Sequence, residues 1–182
     1  MKTLRAILTI LIIACLTGPS AYAKRASDVK YADVERILKH KPYATPADLA
    51  KAGSDIDSVL VDMATAIKLN PELRLRAVRA LAGYPGARAK SVLTVFATTL
   101  EDSIELRAEA MLSLATAFGS VVVSDLEPFL SDKDPKLRIA TANALSKAGG
   151  PKAKQLLEHA LPHEEVLEVR MAIDKALSGI QE

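Results

Sequence analysis

The 182-residue chain has little of what several protein classes require. It has no tryptophan, one cysteine, and only three phenylalanine and four tyrosine residues. One cysteine cannot form an intramolecular disulfide or a zinc finger, and so few aromatic side chains argue against a surface that stacks RNA bases. The 24 basic and 22 acidic side chains nearly balance, so the chain is neither a polybasic nucleic-acid binder nor a highly charged disordered tail. A folded domain with no nucleic-acid partner remains.

The first 23 residues have the pattern of a secretory signal peptide. Lys2 and Arg5 precede an uncharged apolar run over 6–16, which is shorter than the roughly 20 residues that span a bilayer. Ala23 ends a small-residue site of the kind that signal peptidase accepts. We therefore expect cleavage near Ala23, a mature chain that begins at Lys24 without a transmembrane span, and a periplasmic or secreted protein.

Cys15 provides an alternative. The segment 12–15, Ile-Ile-Ala-Cys, resembles the lipobox at which bacterial lipoproteins are cut and acylated, which predicts a membrane-anchored lipoprotein. Arg5 leaves only a short apolar core before Cys15, whereas cleavage after Ala23 uses the whole core. In the main interpretation, loss of Lys2 and Arg5 reduces the 24 basic side chains to 22, equal to the 22 acidic ones, and the mature chain has no cysteine.

A repeat of about 32 residues runs through the mature chain. Arg74, Arg107, Arg138 and Arg170 follow one another at intervals of 33, 31 and 32 residues, each directly after leucine or valine. Apolar and small residues then recur at helical spacing (i, i+3, i+4, i+7, i+8), most cleanly after Arg138 and Arg170, which predicts an amphipathic helix in each copy. Glycine-containing breaks and a second helix follow the first three of these helices. The predicted unit is helix, tight turn, helix.

Helix starts agree with this frame. Thr45, Asn70 and Asp134 each precede a proline, as N-cap residues often do, and the first helix of a degenerate copy after Thr45 is expected to be short. Asp102, with Glu105 three residues later, is compatible with a capping box. Pro128 is discordant, because it lies within a predicted second helix that must start late, near residue 124, or be kinked there.

The run Asp134-Pro135-x-Leu137-Arg138-x-x-Thr141-Ala142-x-Ala144-Leu145 resembles the first-helix motif of HEAT repeats, especially the short type of the phycobilisome lyases. The resemblance covers roughly 45–180. It implies an all-α, right-handed superhelical solenoid of about four helix-turn-helix repeats with incomplete terminal copies. A lead-in and degenerate cap over 24–44 would precede a repeat domain over 45–182, with repeats near 45–69, 70–101, 102–133, 134–161 and 162–182. In the family such arginines often form a polar network between units, so we expect a structural arginine ladder of Arg74, Arg107, Arg138 and Arg170.

The resemblance also implies a function in binding. HEAT-like repeats generally present extended surfaces to protein partners, so we expect a monomeric scaffold or adaptor whose second helices line the inner curve and contact a protein partner in the cell envelope. The residues predicted to bind that partner are Arg88, Lys90, Thr94, Ser124, Glu127, Lys152, Gln155 and His159. We predict no catalytic residues, no cofactor and no enzymatic activity.

Two histidines suggest an alternative function. His159 and His163 have the i, i+4 spacing of metal ligands, but Pro162 ends the helix between them, so the two rings need not share a face. They are weak metal candidates only. The alternative function is an enzyme or enzyme subunit, either lyase-like or a metal-dependent hydrolase, that uses these histidines and nearby acids.

Net charge alternates between successive segments of the repeat domain. It is +4 over 71–100, −6 over 101–134, +4 over 135–162 and −3 over 163–182. One explanation is attraction between neighbouring repeats through exposed ion pairs, and the other is a set of surface patches that select a charged partner.

Overall fold

The computed structural model describes residues 31–99 and 103–180, so the predicted signal peptide, Cys15 and Asp102 lie outside the described residues. All regular structure within those two ranges is helical, and no strand occurs there. The α-helices are α1 (Tyr31–His40), α2 (Pro46–Leu49), α3 (Ile56–Thr65), α4 (Pro71–Ala80), α5 (Ala87–Thr98), α6 (Ile104–Phe118), α7 (Val123–Leu126), α8 (Pro135–Ala148), α9 (Gly150–Ala160) and α10 (Leu167–Gly179). Short 3₁₀ helices cover Ala50–Ala52, Leu81–Gly83, Gly119–Val122, Glu127–Ser131 and Leu161–His163.

The helices stack as a solenoid. The first helices of successive repeats, α4, α6, α8 and α10, pack each against the next, and the second helices α3, α5 and α9 pack against the first helices that follow or precede them. The residue before each ladder arginine is buried, namely Leu73, Leu106, Leu137 and Val169. The all-α solenoid predicted from the repeat pattern is therefore confirmed.

Small side chains allow the first helices to approach closely. Six residues after each ladder arginine stand Ala80, Ser113, Ala144 and Ala176, all at most 7% exposed. Thr141 is also fully buried, and its Oγ1 donates a hydrogen bond to the Leu137 carbonyl at 2.7 Å. No buried side-chain polar atom in the described residues lacks a hydrogen-bond partner. The core between repeats is thus apolar and close-packed, with its few polar groups satisfied.

The predicted N-caps are confirmed at three helices. Thr45 and Asp48 form a capping box at the start of the short helix α2, and the Asn70 and Asp134 side chains accept the Glu72 and Lys136 backbone N–H groups at 2.9 Å. Asp102, which the sequence offered as a cap for the next first helix, lies outside the described residues. Ser103 is the N-cap of α6, and its Oγ accepts the Leu106 N–H at 3.1 Å. Serine is as good an N-cap residue as aspartate, but the spacing of Asp102 and Glu105 was the more conspicuous pattern in the sequence.

The second helix of the copy that begins with α6 is broken, as Pro128 suggested. The helix α7 ends at Leu126 and a 3₁₀ helix over Glu127–Ser131 contains Pro128. Proline has no N–H to donate to the carbonyl four residues earlier, so the chain tightens into a 3₁₀ turn instead of continuing α7. Within the predicted lead-in and cap over 24–44, residues 31–40 form the helix α1, which packs against α4.

The stretch Ile104–Ser131 is long and apolar enough, by length and composition, to cross a membrane. Half of its apolar window is buried inside the structure, and the stretch combines α6 with the broken second helix that follows it. Gly119, at φ 55°, ends α6 within it. The packing of α6 between α4 and α8 accounts for this apolar composition.

Candidate functional site

The arginine ladder ties the first helices α4 and α6 to the ends of the second helices that precede them. Arg74 Nε donates to the Ala64 carbonyl at 3.0 Å, and Arg107 Nε donates to the Ala97 carbonyl at 3.2 Å. These carbonyls lie in the last turns of α3 and α5, where helix C-termini leave acceptors without an intrahelical donor and carry partial negative charge. Two ladder arginines thus cap the C-terminus of the neighbouring helix.

Arg107 and Arg138 also reach forward to an acid at the next junction. Arg107 Nη2 lies 3.4 Å from Asp132 Oδ2, and Arg138 holds Glu164 by two hydrogen bonds, Nε to Oε2 at 2.7 Å and Nη2 to Oε1 at 2.9 Å. The pair lowers the pKa of Glu164, mainly through the hydrogen bond from Arg138, against an opposing contribution from burial. This junction is therefore closed by charge-assisted bonds.

Arg170 differs from the other ladder positions. Its side chain is exposed on α10, the last helix that the structure describes. The acids that hold Arg107 and Arg138 lie 25 and 26 residues further along the chain, and the described residues after Arg170 are too few to contain an equivalent. In the described part of the chain, the predicted ladder therefore makes contacts between repeats at Arg74, Arg107 and Arg138.

Most residues predicted to bind a partner form contacts between neighbouring second helices. Arg88 Nη1 lies 2.9 Å from Asp57 Oδ2 on α3, and Lys90 Nζ lies 3.4 Å from Asp125 Oδ2 on α7. Lys152 on α9 donates to Ser124 Oγ at 2.7 Å and lies 3.5 Å from Glu127 Oε2.

These ion pairs between second helices are solvent-exposed, and each contributes about 0–1 kcal/mol to stability. Some of the opposite charges on neighbouring repeats are thus paired with each other along the stack. We call this row of pairs, formed by Asp57, Arg88, Lys90, Ser124, Asp125, Glu127 and Lys152, the second-helix ion-pair row.

Sequence reasoning missed a stronger pair between first helices. Arg79 on α4 holds Glu109 on α6 through Nη2 to Oε2 at 2.6 Å and Nε to Oε1 at 3.0 Å, and both side chains are largely buried. The same guanidinium lies 4.5 Å from the centre of the Tyr43 ring and donates to the Pro42 carbonyl at 3.2 Å. Arg79 stands five residues after a ladder arginine, and the other copies have no arginine at that position. The repeat pattern therefore did not indicate that Arg79 forms a contact between helices.

A groove of about 730 Å³ opens where α9 and the broken second helix meet the last junction. Leu130, Leu156 and Val166 form its half-buried apolar wall. Two of the predicted partner-binding residues, Glu127 and His159, also line it, whereas Gln155 is exposed nearby on α9 and Thr94 is half-buried on α5. We call this the junction groove, formed by Glu127, Leu130, Ser131, Asp132, Lys133, Arg138, Leu156, His159, Ala160, His163, Glu164, Glu165 and Val166.

The two weak metal candidates lie side by side in the junction groove. The ring centroids of His159 and His163 are 5.4 Å apart, with the planes tilted by 50°. Pro162 therefore does not hold the two rings apart. The α-helix ends at Ala160, but the 3₁₀ turn Leu161–His163 continues the coil and accommodates proline in its first turn.

The described residues contain no group of three or more His, Cys, Asp or Glu side chains placed to hold a metal ion. The metal-dependent hydrolase alternative therefore has no complete protein ligand set in this part of the chain. Catalytic zinc sites of known enzymes generally use three protein ligands.

Comparison with known proteins agrees with the helical stack. Residues 95–178, from the end of α5 through most of α10, match the family model for HEAT repeats. No curated protein matches the chain significantly. The matched region contains two of the contacts that the ladder makes between repeats, Arg107 with Asp132 and Arg138 with Glu164. Together, the family match over 95–178 and the all-helical stack support a HEAT-repeat protein.

Proposed function

We propose that this HEAT-repeat protein is an exported, non-catalytic scaffold that binds a protein partner in the cell envelope through its second-helix surface. HEAT repeats generally mediate protein–protein interaction and do not supply catalytic groups of their own. The observation that carries the proposal is the junction groove, where an apolar wall stands beside exposed polar side chains. Such a combination suits an anchor side chain of a partner, with polar contacts around it.

The groove favours a narrower binding surface than the eight predicted residues suggested. Arg88, Lys90 and Lys152 have carboxylate partners within the second-helix ion-pair row. A partner would have to replace these bonds, with little net gain in solvent. In the junction groove, the side chains of His159 and Glu165 are exposed beside the half-buried Leu156. We place the main contact there, with the ion-pair row at the rim.

Export is supported by the sequence alone. The charged start, the apolar run over 6–16 and the small-residue site ending at Ala23 together match a signal peptide. In this proposal the mature protein acts in the periplasm or outside the cell, as a monomer. Lipidation at Cys15 is the alternative form of the same proposal, in which the scaffold stays anchored to the membrane.

Charge reversal in the groove tests the binding site. We expect the Glu127→Lys/Glu165→Lys variant to recover at least about tenfold less of the partner that the parent protein captures from an envelope fraction, because two exposed acids of the groove change sign. The matched control, Glu105→Lys/Asp174→Lys, makes the same charge change on exposed residues of α6 and α10, outside the groove. Quantitative mass spectrometry measures recovery, and thermal unfolding verifies that both variants fold.

Equal recovery by the groove variant and the parent would show that the partner binds elsewhere. Loss of recovery in both double variants would indicate a response to net charge instead of to the groove. Either result contradicts the proposed contact surface.

A further inference from the structure

Two of the chain's three histidines lie against each other in the junction groove. His159 stands in the last turn of α9 and His163 ends the 3₁₀ helix that follows, and both are exposed to solvent. Their ring centroids lie 5.4 Å apart. The third histidine, His40, ends α1 at the other end of the described chain.

This separation fits two imidazoles that share one metal ion. With metal–nitrogen bonds of about 2.0–2.1 Å and a tetrahedral angle between them, the centroids of two bound imidazole rings are about 5 Å apart. A small rotamer adjustment of two exposed side chains covers the difference from the observed 5.4 Å. Imidazole nitrogens suit Zn²⁺, Cu²⁺ and Ni²⁺, whereas Mg²⁺ and Ca²⁺ prefer oxygen.

The carboxylates of the groove differ in what they can offer a cation. Glu127, Asp132 and Glu164 each lie within 3.5 Å of a basic side chain, so their charge is already compensated. The exposed Glu165 carboxylate offers an oxygen donor in the same groove.

We infer that His159 and His163 bind one divalent transition-metal ion of the Zn²⁺, Cu²⁺ and Ni²⁺ group. Two nitrogen ligands from the protein leave the remaining coordination positions to water, to a groove carboxylate or to a side chain of a bound molecule. The site is therefore open and exchangeable, and it has no need of the three-ligand set found in catalytic zinc sites. The inference is independent of the proposed partner binding.

Metal titration of the mature chain tests the site. We expect isothermal titration with ZnCl₂ to show one equivalent bound, and the affinity to fall at least about tenfold in His159→Asn and in His163→Asn, because each removes one of two protein ligands. The matched control His40→Asn should bind Zn²⁺ like the parent. Titration with CuSO₄, followed by electron paramagnetic resonance, should show nitrogen coordination that is lost in the double variant His159→Asn/His163→Asn.

Two results would overturn the site. One is a parent protein that binds Zn²⁺ no more tightly than the double variant does. The other is a loss of affinity in His40→Asn as large as that in His159→Asn. Circular dichroism of each variant separates loss of metal from loss of fold. Because the partner experiment changes only Glu127 and Glu165 in the groove, failure of the metal site leaves the proposed scaffold function standing.

Discussion

Arg138 shows how one side chain fixes a whole junction. Its guanidinium donates to the Asp132 carbonyl at 2.8 Å as well as to both oxygens of Glu164, so it joins the start of α8 to the segment before α10. Glu164 in turn accepts the Val166 N–H at 2.9 Å, and Val166 is the N-cap of α10. Both side chains are largely buried, with 15% and 9% of their surface exposed. A pair of this kind orients the last helix of the stack.

Removal of this carboxylate should destabilise the protein in a pH-dependent way. We expect Glu164→Gln to lower the free energy of unfolding by about 1–3 kcal/mol at pH 7, because the largely buried guanidinium loses its charged partner. The folded-state pKa of Glu164 is lowered, mainly by the Arg138 hydrogen bond. The stabilisation is therefore complete above the unfolded pKa of about 4.3 and is lost as the pH falls through the lowered folded-state pKa.

Urea denaturation at several pH values checks this expectation. The control Glu165→Gln makes the same change on the adjacent, exposed carboxylate and should alter stability by less than about 0.5 kcal/mol. Equal destabilisation by the two variants at pH 7 would refute the role of the Arg138–Glu164 pair.

The broken second helix shows how one element shapes the groove. The 3₁₀ segment Glu127–Ser131 contributes Glu127, Leu130 and Ser131 to the junction groove. A continuous α-helix would turn these side chains to other directions, because successive residues advance by a different angle in the two helix types. Pro128 therefore affects the form of the candidate site without lining it.

Replacement of Pro128 should lengthen α7. In Pro128→Ala, residue 128 has an N–H that can bond to the Ser124 carbonyl, so we expect a newly protected amide at 128 and a small gain in helical circular dichroism. Stability should change by less than about 1 kcal/mol, because the added bond offsets the greater freedom of the unfolded chain. Hydrogen exchange measured by NMR detects the new amide.

Pro135→Ala is the matched control for that change. Pro135 is the first residue of α8, where the backbone N–H has no intrahelical acceptor, so the substitution should create no protected amide. A residue-128 amide that exchanges as fast as the one created at 135 would mean that the 3₁₀ segment is set by packing and not by Pro128.

In the molecule as a whole, repeats that share one sequence pattern are joined by different polar contacts. The first helices share buried residues at matching positions. Their polar contacts differ, however, from the Arg79–Glu109 pair between α4 and α6 to the Ser146 Oγ that donates to the Ala176 carbonyl between α8 and α10 at 2.9 Å. Apolar stacking thus supplies the common architecture, and individual polar pairs set each interface.

The proposed export is tested on the whole sequence, residues 1–182. When residues 1–182 are expressed in a Gram-negative host, we expect intact-mass spectrometry of the periplasmic fraction to show a protein that starts at Lys24, because the small residues ending at Ala23 suit signal peptidase. A Cys15→Ala variant should fractionate in the same way as the parent. A parent that stays in the membrane while Cys15→Ala is released would instead establish the lipoprotein form.

The architecture of this protein follows from its amino-acid sequence, because the relevant signals are local. Helical spacing after each ladder arginine, the caps at Thr45, Asn70 and Asp134, and the glycine breaks act within one or two turns of chain. The interruption at Pro128 was also foreseeable, since a missing N–H is a property of the residue.

The partners of the long charged side chains and the form of the candidate site depend instead on the packing of distant segments. Arg138 meets Glu164 and Arg79 meets Glu109 across 26 and 30 residues of sequence, and no spacing rule selects one acid among many at such a distance. The contact between the His159 and His163 rings likewise depends on a 3₁₀ turn that the proline between them did not reveal. These arrangements depend on how neighbouring repeats pack, because packing fixes side-chain positions that the periodicity of the sequence does not specify.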